Sequence, residues 1–173
     1  MVEADAANLV LLILRVTLGV VFLAHGINHV FRGGKIEGVG RWFESLGMRP
    51  GIFHAWLASL TEIGAGALLV VGLLTPLAGA GVVGTMLVAW VINHLKNGFF
   101  IFRPGEGWEY VMTLTALGLI VATLGPGEWS IDDQSQDLRD LWGWTGFWIA
   151  AGAGGGGAAA LMAVFWRPDR SES

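Results

Sequence analysis

The chain has no cysteine among its 173 residues. Disulfide bonds, iron–sulfur ligation and a CxxC redox pair all need cysteine sulfur, so this absence excludes them within the chain. Any thiol chemistry linked to this protein must therefore come from a partner.

Charge is also scarce. Asp, Glu, Lys and Arg make up 14% of the sequence, against roughly 25% in a soluble domain. The net charge is −4, and no basic stripe with interleaved aromatic residues is present, so nucleic acid is excluded as a partner. Hydrophobic residues make up 54% of the chain, which indicates an integral membrane protein whose surroundings are the lipid bilayer.

Long apolar segments recur along the chain, and each approaches the roughly 20 helical residues that a bilayer requires. Irregular backbone cannot face lipid, and the alternating segments of a β-barrel are missing, so we expect helices. The sequence predicts an all-α membrane bundle of four helices plus a fifth, glycine-rich transmembrane helix. The expected spans are 9–30, 51–74, 77–95, 108–124 and 145–166.

Lys and Arg residues fall almost entirely on one side of this five-span arrangement, and Arg139 is the exception. Because the positive side of a membrane protein faces the cytoplasm, we expect the N-terminus outside and Ser173 inside, in a bacterial inner membrane. The acidic loop 128–140 then lies outside. The residues on the predicted cytoplasmic side are Arg32, Lys35, Arg41, Arg49, Lys96, Arg103, Arg167 and Arg170.

The two predicted cytoplasmic connections have features of their own. Apolar residues recur at three- and four-residue steps in the first, which predicts an amphipathic interfacial helix near 35–47. In the second, we expect the apolar tongue Phe99 to Phe102 to fold over the inner mouth of the bundle.

Ionisable side chains within the spans are few, and each costs about 2.5 to 3.5 kcal/mol at mid-membrane on insertion scales, so each needs a partner or a function. Counting residues from the helix ends brings Arg15 within reach of Glu62 and predicts an ion pair between them. Four helices contribute the remaining groups at one depth, which predicts a polar pocket in the cytoplasmic half. These groups are His25, His29, His54, His94 and Glu109.

Several ligands suit such a pocket. A quinone head group needs hydrogen-bond donors for two carbonyls and two protons on reduction, which imidazoles and a carboxylate supply. Two histidines on different helices would suit a haem, and the His25 and His29 pair with Glu109 would suit a divalent metal. A structural polar network is the fourth interpretation. We expect the quinone-like ligand ahead of haem, and assign no metal ligands.

An ordered series of short motifs resembles the DoxX family over about 9–132. The motifs are Leu14-Arg15, Gly19-Val-Val-Phe-Leu-Ala-His25-Gly26, Phe43-x-Ser-Leu-Gly47, Glu62-Ile-Gly-Ala-Gly66, Gly72-Leu-Leu-Thr-Pro76, His94-x-x-Asn97-Gly98-Phe-Phe100, Trp108-Glu109-Tyr110 and Gly125-Pro-Gly-x-Trp-Ser130.

The resemblance implies a four-helix bacterial membrane protein related to the small subunits of thiosulfate:quinone oxidoreductases. Members are associated with membrane complexes that contain superoxide-detoxifying and sulfurtransferase partners. The family's polar positions fall on Arg15, His25, Glu62, His94, Asn97 and Glu109.

Two features depart from the family pattern. His29 stands where relatives often have lysine, and an acidic loop, the fifth helix and a short cytoplasmic tail follow the core 1–132 as a second region, 133–173. Within the fifth helix, Gly152 and Gly156 have GxxxG spacing, typical of close helix packing against the same bundle or another subunit.

The expected function is that of a membrane subunit in a redox-linked complex. His94 and His25 would hydrogen-bond the quinone carbonyls, and Glu109 with His29 would supply protons. The wider predicted binding set is Arg15, His25, His29, His54, Glu62, His94 and Asn97. The alternative is a non-catalytic membrane anchor or assembly scaffold that recruits partner proteins. The sequence does not decide whether the chain is an enzyme.

Overall fold

The computed structural model of the chain describes residues 3–168, and the regular structure in this part is helical. Each of the five predicted spans contains a helix, so the predicted all-α membrane bundle is confirmed. The helices are α1 (Ala4–Phe31), α2 (Lys35–Ser45), α3 (Gly51–Val71), α4 (Thr75–Ala89), α5 (Glu109–Leu124), α6 (Gln136–Arg139), α7 (Trp144–Ile149) and α8 (Gly156–Phe165).

Two of the spans contain π-helical turns. A π-helical turn at Trp90–His94 and a 3-10 turn at Leu95–Asn97 extend α4. The π-helical segment Ala150–Gly155 joins α7 to α8, and we call the whole of Trp144–Phe165 the fifth span. Four of these helices are long and apolar enough to cross a membrane, and α5 is a shorter apolar helix.

The first four spans form a closed bundle in which α1 packs on α3, α3 on α4, α4 on α5, and α5 on α1. Large buried side chains, among them Leu18, Phe22 and Leu69, fill its centre. Glycines let α1 and α3 approach closely. A Cβ on Gly19 would lie 2.7 Å from the carbonyl oxygen of Gly66, and one on Gly66 equally close to that of Gly19.

The fifth span packs outside this bundle, on α4 and α5. Its contacts use the small buried residues Ala150, Gly154 and Ala158, which lie one turn apart. A Cβ on Gly154 would approach the carbonyl oxygen of Ala80 to 2.6 Å, so only glycine fits there. By contrast, a Cβ on Gly152 or Gly156 would meet no atom within 4 Å. The partner of that glycine face therefore stays a prediction.

One end of the bundle carries the basic connections, and we call it the basic end; the opposite end, with loop 125–143, is the acidic end. At the basic end, α2 forms where the amphipathic helix was predicted and buries Ile36 and Phe43. The indole N–H of Trp166 donates to the carbonyl of Leu46 at 2.9 Å, which ties the fifth span to the connection after α2. The side of the membrane that each end faces stays a prediction, and Ser173 and Arg170 lie outside the described residues.

Candidate functional site

A cavity of about 720 Å³ lies between α1, α3, α4 and the fifth span, within the size range of small-molecule sites. Most of its wall is apolar, and the polar side chains concentrate toward the basic end. These polar residues are His25, His29, His54, Thr61, Glu62, Thr85, Asn93, His94, Glu106 and Tyr110.

His54 is the most deeply buried of these polar residues, with 2% of its surface exposed. The rings of Phe53 and Phe165 lie 5.1 Å from the imidazole, and that of Phe43 lies 6.0 Å away. Neither ring nitrogen makes a hydrogen bond of standard geometry within residues 3–168, although a backbone group of Arg49 lies close to the ring. Leaving a buried polar group unpaired costs roughly 1 to 3 kcal/mol, so this imidazole is a candidate ligand-binding group.

His29 and Glu62 form a polar pair in the cavity wall. His29 Nδ1 lies 3.0 Å from Glu62 Oε2, and the Glu62 side chain is 7% exposed. The distance is that of an ion pair, but the angles are not those of a hydrogen bond, and neither atom has another partner in the described part of the chain. Gly26 permits this approach of α1 to α3, since a Cβ there would lie 3.0 Å from that of Glu62.

His25 and His94 also line the cavity, but each already has one ring nitrogen near a backbone carbonyl. His25 Nδ1 lies 2.9 Å from the oxygen of Val21. His94 ends the π-helical turn, a feature frequent at functional sites, and its Nδ1 lies 2.8 Å from the oxygen of Glu106. His94 therefore joins the cavity wall to the loop that follows α4.

Asn97 and Glu109 lie outside the cavity lining and shape that loop instead. Asn97 Nδ2 donates to the carbonyls of Gly105 at 2.6 Å and Glu106 at 3.1 Å. Glu109 Oε1 accepts the backbone N–H of Ile101 at 2.8 Å. Both side chains hold the loop whose residue Glu106 reaches the cavity.

The prediction that the tongue Phe99 to Phe102 covers the cavity is wrong. Phe99 to Phe102 do not line the cavity, and Phe102 is 79% exposed. Phe99 packs edge-on against Trp108, with ring centroids 4.8 Å apart, so local aromatic packing turns the tongue away. The loop contributes Glu106 instead, which the sequence reasoning missed because it stands in no helical pattern.

The predicted ion pair between Arg15 and Glu62 is also wrong. Arg15 Nη1 donates to the carbonyls of Leu69, at 3.1 Å, and Val70, and Nη2 donates to that of Trp129 at 2.5 Å. The Gly19 and Gly66 contact sets a helix register that places Arg15 beside the end of α3. That position is about 10 Å along α3 from Glu62, at about 1.5 Å per residue.

The structure thus brings together five of the predicted site residues, and Arg15, Asn97 and Glu109 lie outside the cavity lining. Those that line it are His25, His29, His54, Glu62 and His94. Sequence reasoning missed Tyr110 as a lining residue, although it ends the Trp108-Glu109-Tyr110 motif. Within residues 3–168, no three His, Asp or Glu side chains are grouped so as to hold a metal ion.

These features define a class, the all-α membrane bundles with a polar cavity between their helices. The chain belongs to the DoxX family, whose profile, described as DoxX, matches residues 10–95. It is 31% identical over 129 residues to the "Uncharacterized membrane protein Rv3486" of Mycobacterium tuberculosis, covering 69% of this chain and 77% of that protein.

A second relative is the "Putative oxidoreductase CatD" of Bacillus subtilis. It is 31% identical over 108 residues, which cover 62% of this chain and 75% of that protein. No solved structure is significantly similar to the chain.

Proposed function

We propose that this protein is a membrane subunit of a redox-linked complex and binds a quinone-like ligand in the cavity. The observation that carries the proposal is the buried imidazole of His54, which lines the cavity and whose two nitrogens make no hydrogen bond of standard geometry within residues 3–168. A fixed structural network would instead satisfy such a group internally.

The residues present fit a quinone head group. Its ring is flat and apolar on both faces, and Ala65, Met86 and Val111 supply apolar wall. Its carbonyl oxygens require donors, which the imidazole of His54 and the hydroxyl of Tyr110 provide. When bound, a quinone supplies two-electron redox chemistry coupled to two protons.

In our proposal, His29 and Glu62 exchange protons with the ligand. Their facing atoms are 3.0 Å apart, within the reach required of an acid–base pair, and both are sheltered from solvent. Glu62 can hold a proton on Oε2 or leave it on His29 Nδ1. In our proposal, Glu106 and His94, which line the cavity beside the loop after α4, exchange protons with water.

The place in a complex is supported by the sequence and by one relative. Because the chain has no cysteine, electrons must reach the cavity from a partner or from the ligand itself. One relative's name describes an oxidoreductase. In our proposal, Glu109 and Asn97 position the loop rather than contact the ligand.

The test is ligand content and binding in purified protein held in lipid nanodiscs. Organic extraction should release quinone, and a quinone with a single isoprene unit should bind. His54→Leu should weaken this binding by about tenfold, equivalent to the loss of one hydrogen bond to a buried group. Thr115→Val is the matched control because Thr115 is buried and polar but lies outside the cavity lining.

Two results would contradict the proposal. One is a wild-type protein that neither carries nor binds quinone, which would favour the anchor or scaffold interpretation. The other is binding that Thr115→Val and His54→Leu lower equally, which would place the quinone elsewhere.

A further inference from the structure

The cavity continues beyond its polar residues as an apolar groove. Both α3 and the fifth span pack on α4, and the groove runs between them with α4 as its floor. Small residues line it on all three helices: Gly64, Gly81, Gly84, Thr85, Ala153 and Gly157. The groove and the histidine region form one continuous cavity rather than two separate sites.

Two of these glycines leave open space in the groove. A Cβ on Gly64 of α3 or on Gly157 of the fifth span would meet no atom within 4 Å, and both residues are exposed. The other glycines that line the cavity serve close packing, as at Gly154, where a Cβ would lie 2.6 Å from the oxygen of Ala80. Gly64 and Gly157 therefore hold no helices together, and their lack of a side chain keeps the groove open.

We propose that this groove holds the isoprenoid tail of the same molecule whose head group lies among the histidines. This inference rests on the proposed function. A single cavity with buried polar atoms at one part and an apolar groove at the other matches an amphipathic lipid with a small polar head. The exposed glycine edges give the tail an opening toward the bilayer.

The proposal also gives the fifth span a role. This helix lies outside the family match at residues 10–95, and it supplies one wall of the groove through Ala153, Gly157 and Leu161. In this proposal the fifth span makes the cavity selective for a tailed ligand, while the first four spans bind the head group.

The test fills the groove without disturbing its walls. Gly64→Leu and Gly157→Leu add side chains into open space, singly and together. The controls are Ala67→Leu on α3 and Gly156→Leu on the fifth span, which are exposed and lie outside the cavity lining. Two probes share one quinone head group, and carry either one isoprene unit or a long isoprenoid tail.

The wild-type protein and the controls should bind the long-tailed probe about tenfold more tightly than the short one, because many small dispersion contacts add up along the tail. The double variant should lose this preference and keep its affinity for the short probe. Each single variant should lose part of it, which keeps the test decisive where the double variant is unstable.

The outcomes separate the two proposals. Equal binding of both probes by the wild type, or a preference that stays undiminished in both single variants, would overturn the tail groove alone. Failure of the wild type to bind either probe would overturn the proposed function, and the groove assignment with it.

Discussion

Arg15 and His54 are each 2% exposed, yet their surroundings differ completely. The Arg15 guanidinium donates to three backbone carbonyls and leaves only Nε without a partner, whereas neither nitrogen of the His54 imidazole makes a hydrogen bond of standard geometry in the described residues. Both side chains are costly to bury in a membrane protein. The difference indicates that Arg15 holds helix ends together, and it supports our proposal that the histidine region binds a ligand.

The acidic end around Arg15 is closed by further hydrogen bonds. Asp132, which is fully buried, accepts the backbone N–H groups of Leu74 at 2.7 Å and Thr75 at 2.9 Å and so caps the start of α4. Asn8 and Glu128 exchange hydrogen bonds of 2.9 and 3.0 Å, which tie α1 to the same loop. Buried polar groups here hold helix ends together.

The largest expected effect on stability comes from replacing Arg15 at the acidic end. Arg15→Met should lower the free energy of unfolding by about 3 to 5 kcal/mol, because three carbonyls lose a charged donor inside the protein. Thermal unfolding in detergent measures this loss. The stability of Arg15→Lys should lie between those of the wild type and Arg15→Met, since an ammonium cannot hydrogen-bond as a fork to carbonyls on two segments. An Arg15→Met protein as stable as the wild type would show that the guanidinium does not hold helix ends together.

A smaller loss of stability is expected when the Asp132 cap at the same end is removed. Asp132→Ala should lower stability by about 1 to 3 kcal/mol, because the first backbone N–H groups of α4 lose their acceptors. The matched control is Asp133→Ala, whose carboxylate forms only a partly exposed pair with Arg139 at 3.3 Å and should change stability by less than about 1 kcal/mol. Equal melting shifts in the two variants would refute the capping role.

Replacing His54 in the histidine region should not lower stability in the same way. His54→Leu replaces an unpartnered buried imidazole among phenyl rings with an apolar side chain, so stability should stay within about 1 kcal/mol of wild type or rise. The melting temperature, measured beside that of Arg15→Met, checks this. A destabilisation as large as that of Arg15→Met would make His54 part of a structural network and support the scaffold interpretation.

The helices were predictable from sequence because apolar length alone decides where a chain crosses a bilayer. The convergence of His25, His29, His54 and His94 followed from their helical positions, which alternate direction with each span. The pairing of Arg15 was not predictable in this way. It depends on the stagger between α1 and α3, which the close approach of Gly19 and Gly66 sets and which residue counting from the helix ends does not contain.

The loop residues of the site were not predictable from sequence for a related reason. Glu106 reaches the cavity because Asn97 and His94 hold the carbonyls of its loop, and no periodic pattern marks such a turn. Edge-on packing of Phe99 against Trp108 likewise directs the tongue away from the cavity, and no periodic pattern marks this contact. The candidate site was thus predictable where helices supply it and not where loops complete it.

The smallest expected effect is a coupling energy, and it separates the two regions directly. In a double-mutant cycle, His29→Ala and Glu62→Ala should be non-additive by about 0.5 to 3 kcal/mol, because their facing atoms are 3.0 Å apart. The cycle of Arg15→Met with Glu62→Ala should be additive within about 0.5 kcal/mol, since Arg15 is bound at the end of α3. Melting curves of the single and double variants supply both values. A strong coupling of Arg15 to Glu62, with none between His29 and Glu62, would mean that the register between α1 and α3 places Arg15 beside Glu62 instead.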